Sequence, residues 1–359
     1  MLSSAKIRLI NNFAALTHRN YRYFWFGQCL SLLGTWTQRT AQQWLVYDMT
    51  RSPLLLGLLG VFQFGPVLLF SLFAGVLVDR FPKKKILLLT QSILMVQAFC
   101  LAALVFTGRI QYWHILVLAS VMGLANTLDM PARLSFIFEL VGKEDLLSGI
   151  ALNSAIVNLA KVLGPAIGGL LITYLGTGAC FLLNGISFAA VLIGICLINI
   201  NSPVIKKENR MLPELLEGLK YIAARPVLWS AVLAMAAVGT FAMNADVLIP
   251  VLAREVLHKQ ASGYSLLLSA MGLGSLIGAL YVSSRSRKGP SFRIVFGSGV
   301  IVSLLYMFMG NVHTYISGLA TIAITGFFTL TFMNMVNSTM QLNSENAYRG
   351  RVVSVYSLL

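Results

Sequence analysis

Charge is what this chain has least of. Asp, Glu, Lys and Arg make up 11% of its 359 residues, against 57% hydrophobic, where a water-soluble domain carries roughly 25% charged residues. Acids are the scarcer sign, 12 against 27 Lys and Arg. The four cysteines, Cys29, Cys100, Cys180 and Cys196, make no C-x-x-C pair and no metal spacing, so they read as small apolar residues inside the apolar runs. His18, His114, His258 and His313 are scattered near the ends of those runs and form no ligand set. There is no phosphate-cradling G-x-x-x-x-G-K-(S/T) and no nucleophile elbow, which leaves an ATP motor and a hydrolase without their carriers. No enzyme activity, cofactor or metal is therefore expected. A secretory leader is missing too: the basic start (Lys6, Arg8, His18, Arg19, Arg22) runs into a full-length apolar stretch without a small-residue cleavage site, so the first helix is expected to be retained.

What the chain has instead is apolar length. A helix needs about 20 apolar residues to cross a bilayer, and ten stretches qualify: 23–47, 53–78, 86–107, 112–132, 150–175, 178–200, 227–250, 263–284, 291–311 and 314–340. An eleventh begins at Val352 and runs to Leu359. The net charge of +15 would suit nucleic acid, but the bases sit in loops between apolar runs rather than on a soluble patch, so no nucleic-acid partner is expected. With the N-terminus in the cytoplasm, only Arg51, Arg109, Arg254 and Lys259 fall in external segments and only Arg39 and Lys161 within spans; every other Lys and Arg is cytoplasmic. The expectation is an all-α, multi-pass protein of a cell membrane.

One short stretch concentrates the charge. Gly75-Val76-Leu77-Val78-Asp79-Arg80-Phe81-Pro82-Lys83-Lys84-Lys85 lies between the second and third runs, where such a cluster has to form a tight loop outside the hydrocarbon. Through Gly75, Leu77, Asp79, Arg80, Lys83 and Lys84 it resembles the G-x-L-x-D-R-x-x-(R/K)-(R/K)-(R/K) signature of major facilitator superfamily transporters, with Pro82 where that pattern has a second glycine. An ordinary positive-inside loop would need the lysines but not the glycine or the Asp-Arg pair. The resemblance implies a cytoplasmic gating loop.

The longest polar stretch, Asn201 to Pro226, divides the chain into an N-terminal six-helix half (1–200), a cytoplasmic linker (201–226) with an amphipathic helix over Leu212–Tyr221, and a C-terminal half (227–359). The second half echoes the first: Ser52–Gly57 corresponds to Ser262–Leu267, and Gly278–Lys288 repeats the charged loop with its bases kept and its aspartate lost. This matches the major facilitator fold, two six-helix halves of inverted repeats with the substrate site near the bilayer midplane. On that plan the second half is incomplete, with about ten spans plus the start of an eleventh, and the chain reads as C-terminally truncated. Further stretches narrow the likeness: Gly34–Arg39 with Trp44–Asp48, Asp129–Arg133, Ala151–Ser154, Gly164–Gly169, Cys180–Asn184 and Arg349–Ser354. Together they resemble the bacterial exporter branch of enterobactin exporters and macrolide-efflux-type proteins. In that branch Gly164, Pro165, Gly168 and Gly169 would form a fifth-helix motif associated with antiporters; as physics alone, proline bends a span and glycines admit a close neighbour.

Charges inside spans are the candidate chemistry. Arg39 shares one helix face with Gln28, Thr35 and Gln42, and Lys161 shares one with Ser154 and Asn158. Two cations on one cavity would favour an anionic or catechol-like substrate; the alternative is that each fixes helix packing through carbonyls or a carboxylate. Asn126, Asn334 and Asn337 complete the expected lining. A proton-driven exporter needs a carboxylate that loads and unloads, and the candidates are Asp129 and Asp246, each of which could equally anchor a helix end, Asp129 through Arg133. The function expected is proton-coupled export, by alternating access, of a small amphipathic or anionic molecule (siderophore- or drug-like) by a monomer in the bacterial cytoplasmic membrane. The alternatives are a non-transporting truncated or degenerate membrane protein, and an importer or lipid flippase of the same fold.

Overall fold

The computed structural model describes residues 13–200, 217, 219–285, 289–345, 348, 352 and 355–356, without the side chains of Leu72, Gly75, Val76 and Asp79. Within these residues the chain is helical, with no strand. A 3₁₀ turn, Ala14–Thr17, leads into α1 (Arg19–Thr50), α2 (Pro53–Arg80), α3 (Lys83–Phe106), α4 (Tyr112–Val141), α5 (Leu146–Leu175) and α6 (Thr177–Leu197). Then come α7 (Pro226–Phe241), α8 (Ala245–Val251) with a π-helical turn Leu252–Val256, α9 (Ala261–Ser284), α10 (Phe292–Phe308) and α11 (Tyr315–Leu342). The seventh expected span is thus broken at Ala242–Asn244, between α7 and α8. The chain divides into two compact units, Met1–Glu208 and Asn209–Leu359. Most of the expected linker, residues 201–216 and 218, lies outside the described residues, as do Gly218 and the first part of the amphipathic helix expected there.

Among the described residues, nine helices are long and apolar enough to cross a membrane. The first expected span, α1, is the exception, and its composition explains why. Gln28, Ser31, Thr37, Gln38, Thr40, Gln42 and Gln43 are all buried on it, so its polarity faces protein, not lipid, and hydropathy alone undercounts it. In the N-terminal unit α1 packs against α5 and α6, α3 against α4 and α6, and α2 against α4. A buried amide ladder ties three of these helices: Gln97 of α3 accepts from Gln38 of α1 (3.1 Å), whose own oxygen accepts from Asn184 of α6 (2.8 Å).

Internal duplication is visible in matching ties. The Tyr112 hydroxyl at the start of α4 donates to the Leu55 carbonyl of α2 (2.8 Å), and Tyr315 at the start of α11 donates to the Gly263 carbonyl of α9 (2.9 Å). Eleven residues further along each helix a glycine meets backbone: a Cβ on Gly123 would lie 2.3 Å from the Gln63 carbonyl oxygen, and one on Gly326 2.1 Å from that of Met271. Only glycine permits so close an approach. Leu55/Gly263 and Gln63/Met271 have one common separation, and Tyr112/Tyr315 and Gly123/Gly326 another. In this register the cap Ser52 of α2 falls on Gln260, the cap of α9, rather than on Ser262 as the sequence echo suggests. Continued along the sequence, it carries Asp79 onto Arg287.

Candidate functional site

The charged loop after α2 is built differently from a solvated cluster. Helix α2 ends at Arg80, which is exposed. Lys83 is buried; its Nζ donates to the Val78 carbonyl (2.7 Å) and the Phe81 carbonyl (3.4 Å), at the C-terminus of α2. Lys84 Nζ donates to the Ile198 carbonyl (2.6 Å), just past the end of α6. Each lysine therefore satisfies carbonyls that a helix end leaves unpaired, where the helix dipole also favours a cation. Gly75 and Asp79, also of the expected gating motif, are described only as helical backbone.

Arg39 and Lys161 come together, as their place on α1 and α5 allowed. The Arg39 guanidinium carbon lies 5.1 Å from the ring centroids of both Trp36 and Phe64, and Lys161 Nζ lies 5.7 Å from that of Trp36. Two cations thus share one indole, with Phe64 of α2 closing on the guanidinium, a geometry that holds cations in low dielectric. The fifth-helix motif sets this spacing. A Cβ on Gly164 would lie 2.4 Å from the Cβ of Trp36, and the Gly164 carbonyl accepts from the Thr37 hydroxyl (3.0 Å). Pro165, buried inside α5, lacks the amide hydrogen that would bond the carbonyl of Lys161, four residues earlier. Gly168 lies against Thr37 and Thr40 at ordinary distances, and Gly169 accepts from Thr173 (2.7 Å).

The remaining expected lining is scattered. Thr35 and Asn126 are half-buried on α1 and α4. Gln42 is 1% exposed, with its Nε2 unpartnered. Asn158 turns back onto its own helix, donating to the Ser154 carbonyl (3.0 Å). On α11, in the other unit, Asn334 is half-buried and Asn337 accepts from Gln341 (2.8 Å). Gln28, expected on the Arg39 stripe, points elsewhere: it accepts from Arg133.

The two acids differ in setting. Asp129 is 0% exposed and accepts from Thr90 (2.8 Å) and Gln91 (2.7 Å) of α3 and from Arg133 one turn along α4. The anchor to Arg133 is therefore present, extended to α1 through Gln28 and to α3 through the other two donors. Asp246 is exposed in the first turn of α8, where it interacts electrostatically with Tyr306 of α10. Trp36, Phe64, Thr90 and Gln91 were not among the expected site residues. The Thr-Gln pair interrupting the apolar α3 was the available signal for two of them.

Comparison with known proteins follows the same outline. Residues 10–359 match the transmembrane secretion effector family of the major facilitator superfamily. The staphyloferrin A transporter of Staphylococcus aureus is 23% identical over 341 residues, covering 93% of this chain and 84% of that protein. The enterobactin exporter EntS of Shigella boydii is 25% identical over 354 residues, covering 97% and 83%. Among solved structures, a bacterial homolog of the human lysosomal transporter Spinster, inward-facing and unoccupied, superposes with a TM-score of 0.73 at 14% identity, covering 95% of this chain and 79% of that one. A peptide transporter POT mutant with bound sulfate gives 0.71 at 13% identity, covering 94% and 85%.

Proposed function

Because the chain belongs to the transmembrane secretion effector family of major facilitator transporters, we propose that it exports a small anionic or amphipathic molecule from the bacterial cytoplasm in exchange for protons, by alternating access. The observation that carries the anionic preference is the pair of cations, Arg39 and Lys161, gathered on Trp36 within the span region of the N-terminal unit. Holding two positive charges close together inside a membrane is costly, and an anion bound between them relieves that cost. Siderophore-like cargo is the first class to test, given what two relatives transport by name, staphyloferrin A and enterobactin. Asp129 and Asp246 are the acids proposed for proton coupling. The N-terminus is proposed to be cytoplasmic, with the lysine-capped α2–α3 loop on the same side, and the working unit a monomer.

The test is flux in proteoliposomes containing the purified protein, with enterobactin, staphyloferrin A and a neutral analogue as cargo, with and without an imposed pH gradient. Anionic cargo should move against the proton gradient, and Arg39→Gln and Lys161→Gln should each reduce its flux more than that of the neutral analogue. Flux indifferent to pH refutes the coupling; equal losses for charged and neutral cargo refute the anionic preference.

A further inference from the structure

The Asp129–Arg133 pair presents a puzzle that the repeat makes sharp. In the register set by Tyr112/Tyr315 and Gly123/Gly326, Asp129 and Arg133 fall on Phe332 and Val336. Both of those are fully buried members of the apolar core of the C-terminal unit. The same helix position is thus packed without charge in one unit and, in the other, with an ion pair between fully buried Asp129 and part-buried Arg133. Apolar packing at such a position is commonly as stable as an ion pair or more so, so the fold itself does not demand the charges.

The groups around the pair are also incompletely satisfied, in a way their own chemistry forces. Gln28 spends its oxygen on Arg133, and Gln91 spends its nitrogen on Asp129. Neither amide can be turned over: a flipped Gln28 would aim a donor at the guanidinium, and a flipped Gln91 an acceptor at the carboxylate. The far ends, Gln28 Nε2 and Gln91 Oε1, are left buried with no protein partner, and so is Arg133 Nε. Gln28, Gln91 and Asp129 are each 0% exposed. Two donors and one acceptor stranded in membrane-embedded protein want a ligand that both accepts and donates.

We propose that Gln28, Thr90, Gln91, Asp129 and Arg133 form a water-binding site inside the N-terminal helix bundle, kept for transport rather than for folding. Water is the smallest molecule that answers all three orphaned atoms, and it gives a carboxylate sealed from bulk solvent a hydrogen-bonded neighbour that exchanges. The first half of this proposal is independent of the cargo and coupling proposed above; the second rests on that transport reading.

X-ray hydroxyl-radical footprinting on the unmodified protein tests the water directly, because bound water generates radicals where it sits. Phe24, Leu87 and Phe136 each lie one turn from a member of the cluster and are at most 1% exposed. They should be labelled, while Phe332, equally buried at the matching place in the other unit, should stay at background. Background labelling at all four overturns the water site. Gln91→Met keeps the volume and the ion pair while removing the orphaned oxygen, and should lower labelling of Leu87; unchanged labelling counts against the site as well. Replacing the whole cluster by apolar residues of similar size, Gln28→Met/Thr90→Val/Gln91→Met/Asp129→Leu/Arg133→Met, strands no partner, so this variant should purify in normal amount with a thermal midpoint close to the parent and lose flux in the proteoliposome assay. Parental flux in that variant overturns the functional half, whereas labelling that persists in a parent inactive toward every cargo would refute the export reading and leave the water site standing.

Discussion

Two glycines of the same motif, four residues apart, make opposite demands. An alanine at Gly164 would place its Cβ 2.4 Å from the Trp36 Cβ and 3.2 Å from the Trp36 carbonyl carbon. Carbon atoms in contact settle near 3.5–4.0 Å, so the helices must part by about 1 Å. The clashing atoms are backbone or one bond from it, so no rotamer change relieves them. Overpacking of this kind costs about 1–3 kcal/mol. The Thr37 hydroxyl bond to the Gly164 carbonyl, 3.0 Å long, stretches with the same movement. At Gly168 the added methyl would meet nothing nearer than 3.4 Å, ordinary contact, and alanine improves helix propensity by roughly 0.5–1 kcal/mol. Gly164→Ala should therefore lower the thermal midpoint and, by moving Trp36 with its two cations, reduce flux by about tenfold or more, since a 1 Å misplacement can cost on the order of 100-fold. Gly168→Ala should match the parent in flux and equal or slightly exceed its midpoint. Fluorescence-detected thermal unfolding in detergent and proteoliposome flux measure the two effects. Equal behaviour of the two variants would refute the claim that α5 seats Trp36 by close approach at Gly164.

Two further substitutions follow from individual bonds. Lys83→Met strands the Val78 and Phe81 carbonyls and should cost about 1–3 kcal/mol in thermal unfolding, whereas Lys85→Met, at an exposed position, should leave the midpoint within error; the reverse order would rule out Lys83 as a cap. Tyr112→Phe and Tyr315→Phe each delete one hydroxyl-to-carbonyl bond at matching places and should cost about 1 kcal/mol apiece, additively in the double variant because the sites share no partner.

The helices and their membrane setting were legible because apolar run length and loop charge are properties of single segments. What could not be read was which neighbour a given face meets. Spacing puts Gln28, Thr35, Arg39 and Gln42 on one side of α1, yet Gln28 serves Arg133 while Arg39 lies between Trp36 and Phe64. Periodicity fixes an azimuth, and partners at different depths come from different helices. Gln38, on another face, bonds both α3 and α6, partners that spacing along α1 does not reveal. The basic stretch was legible as a loop between two spans, but capping by Lys83 and Lys84 depends on where two helices end in space. The duplication was legible too; its register was not, since short similar motifs align nearly as well two places out (Ser52 on Ser262) or five (Gly75 on Gly278), and only the paired tyrosine and glycine contacts fix it.

The amide ladder through Gln38 has a mechanical corollary. In hydrocarbon no solvent stands ready to replace a broken side-chain bond, so Gln97, Gln38 and Asn184 lash three of the six N-terminal rods into one strut. Whatever stroke this half makes, α1, α3 and α6 have to move as one body. Spin labels on α3 and α6 should keep one distance throughout the cycle.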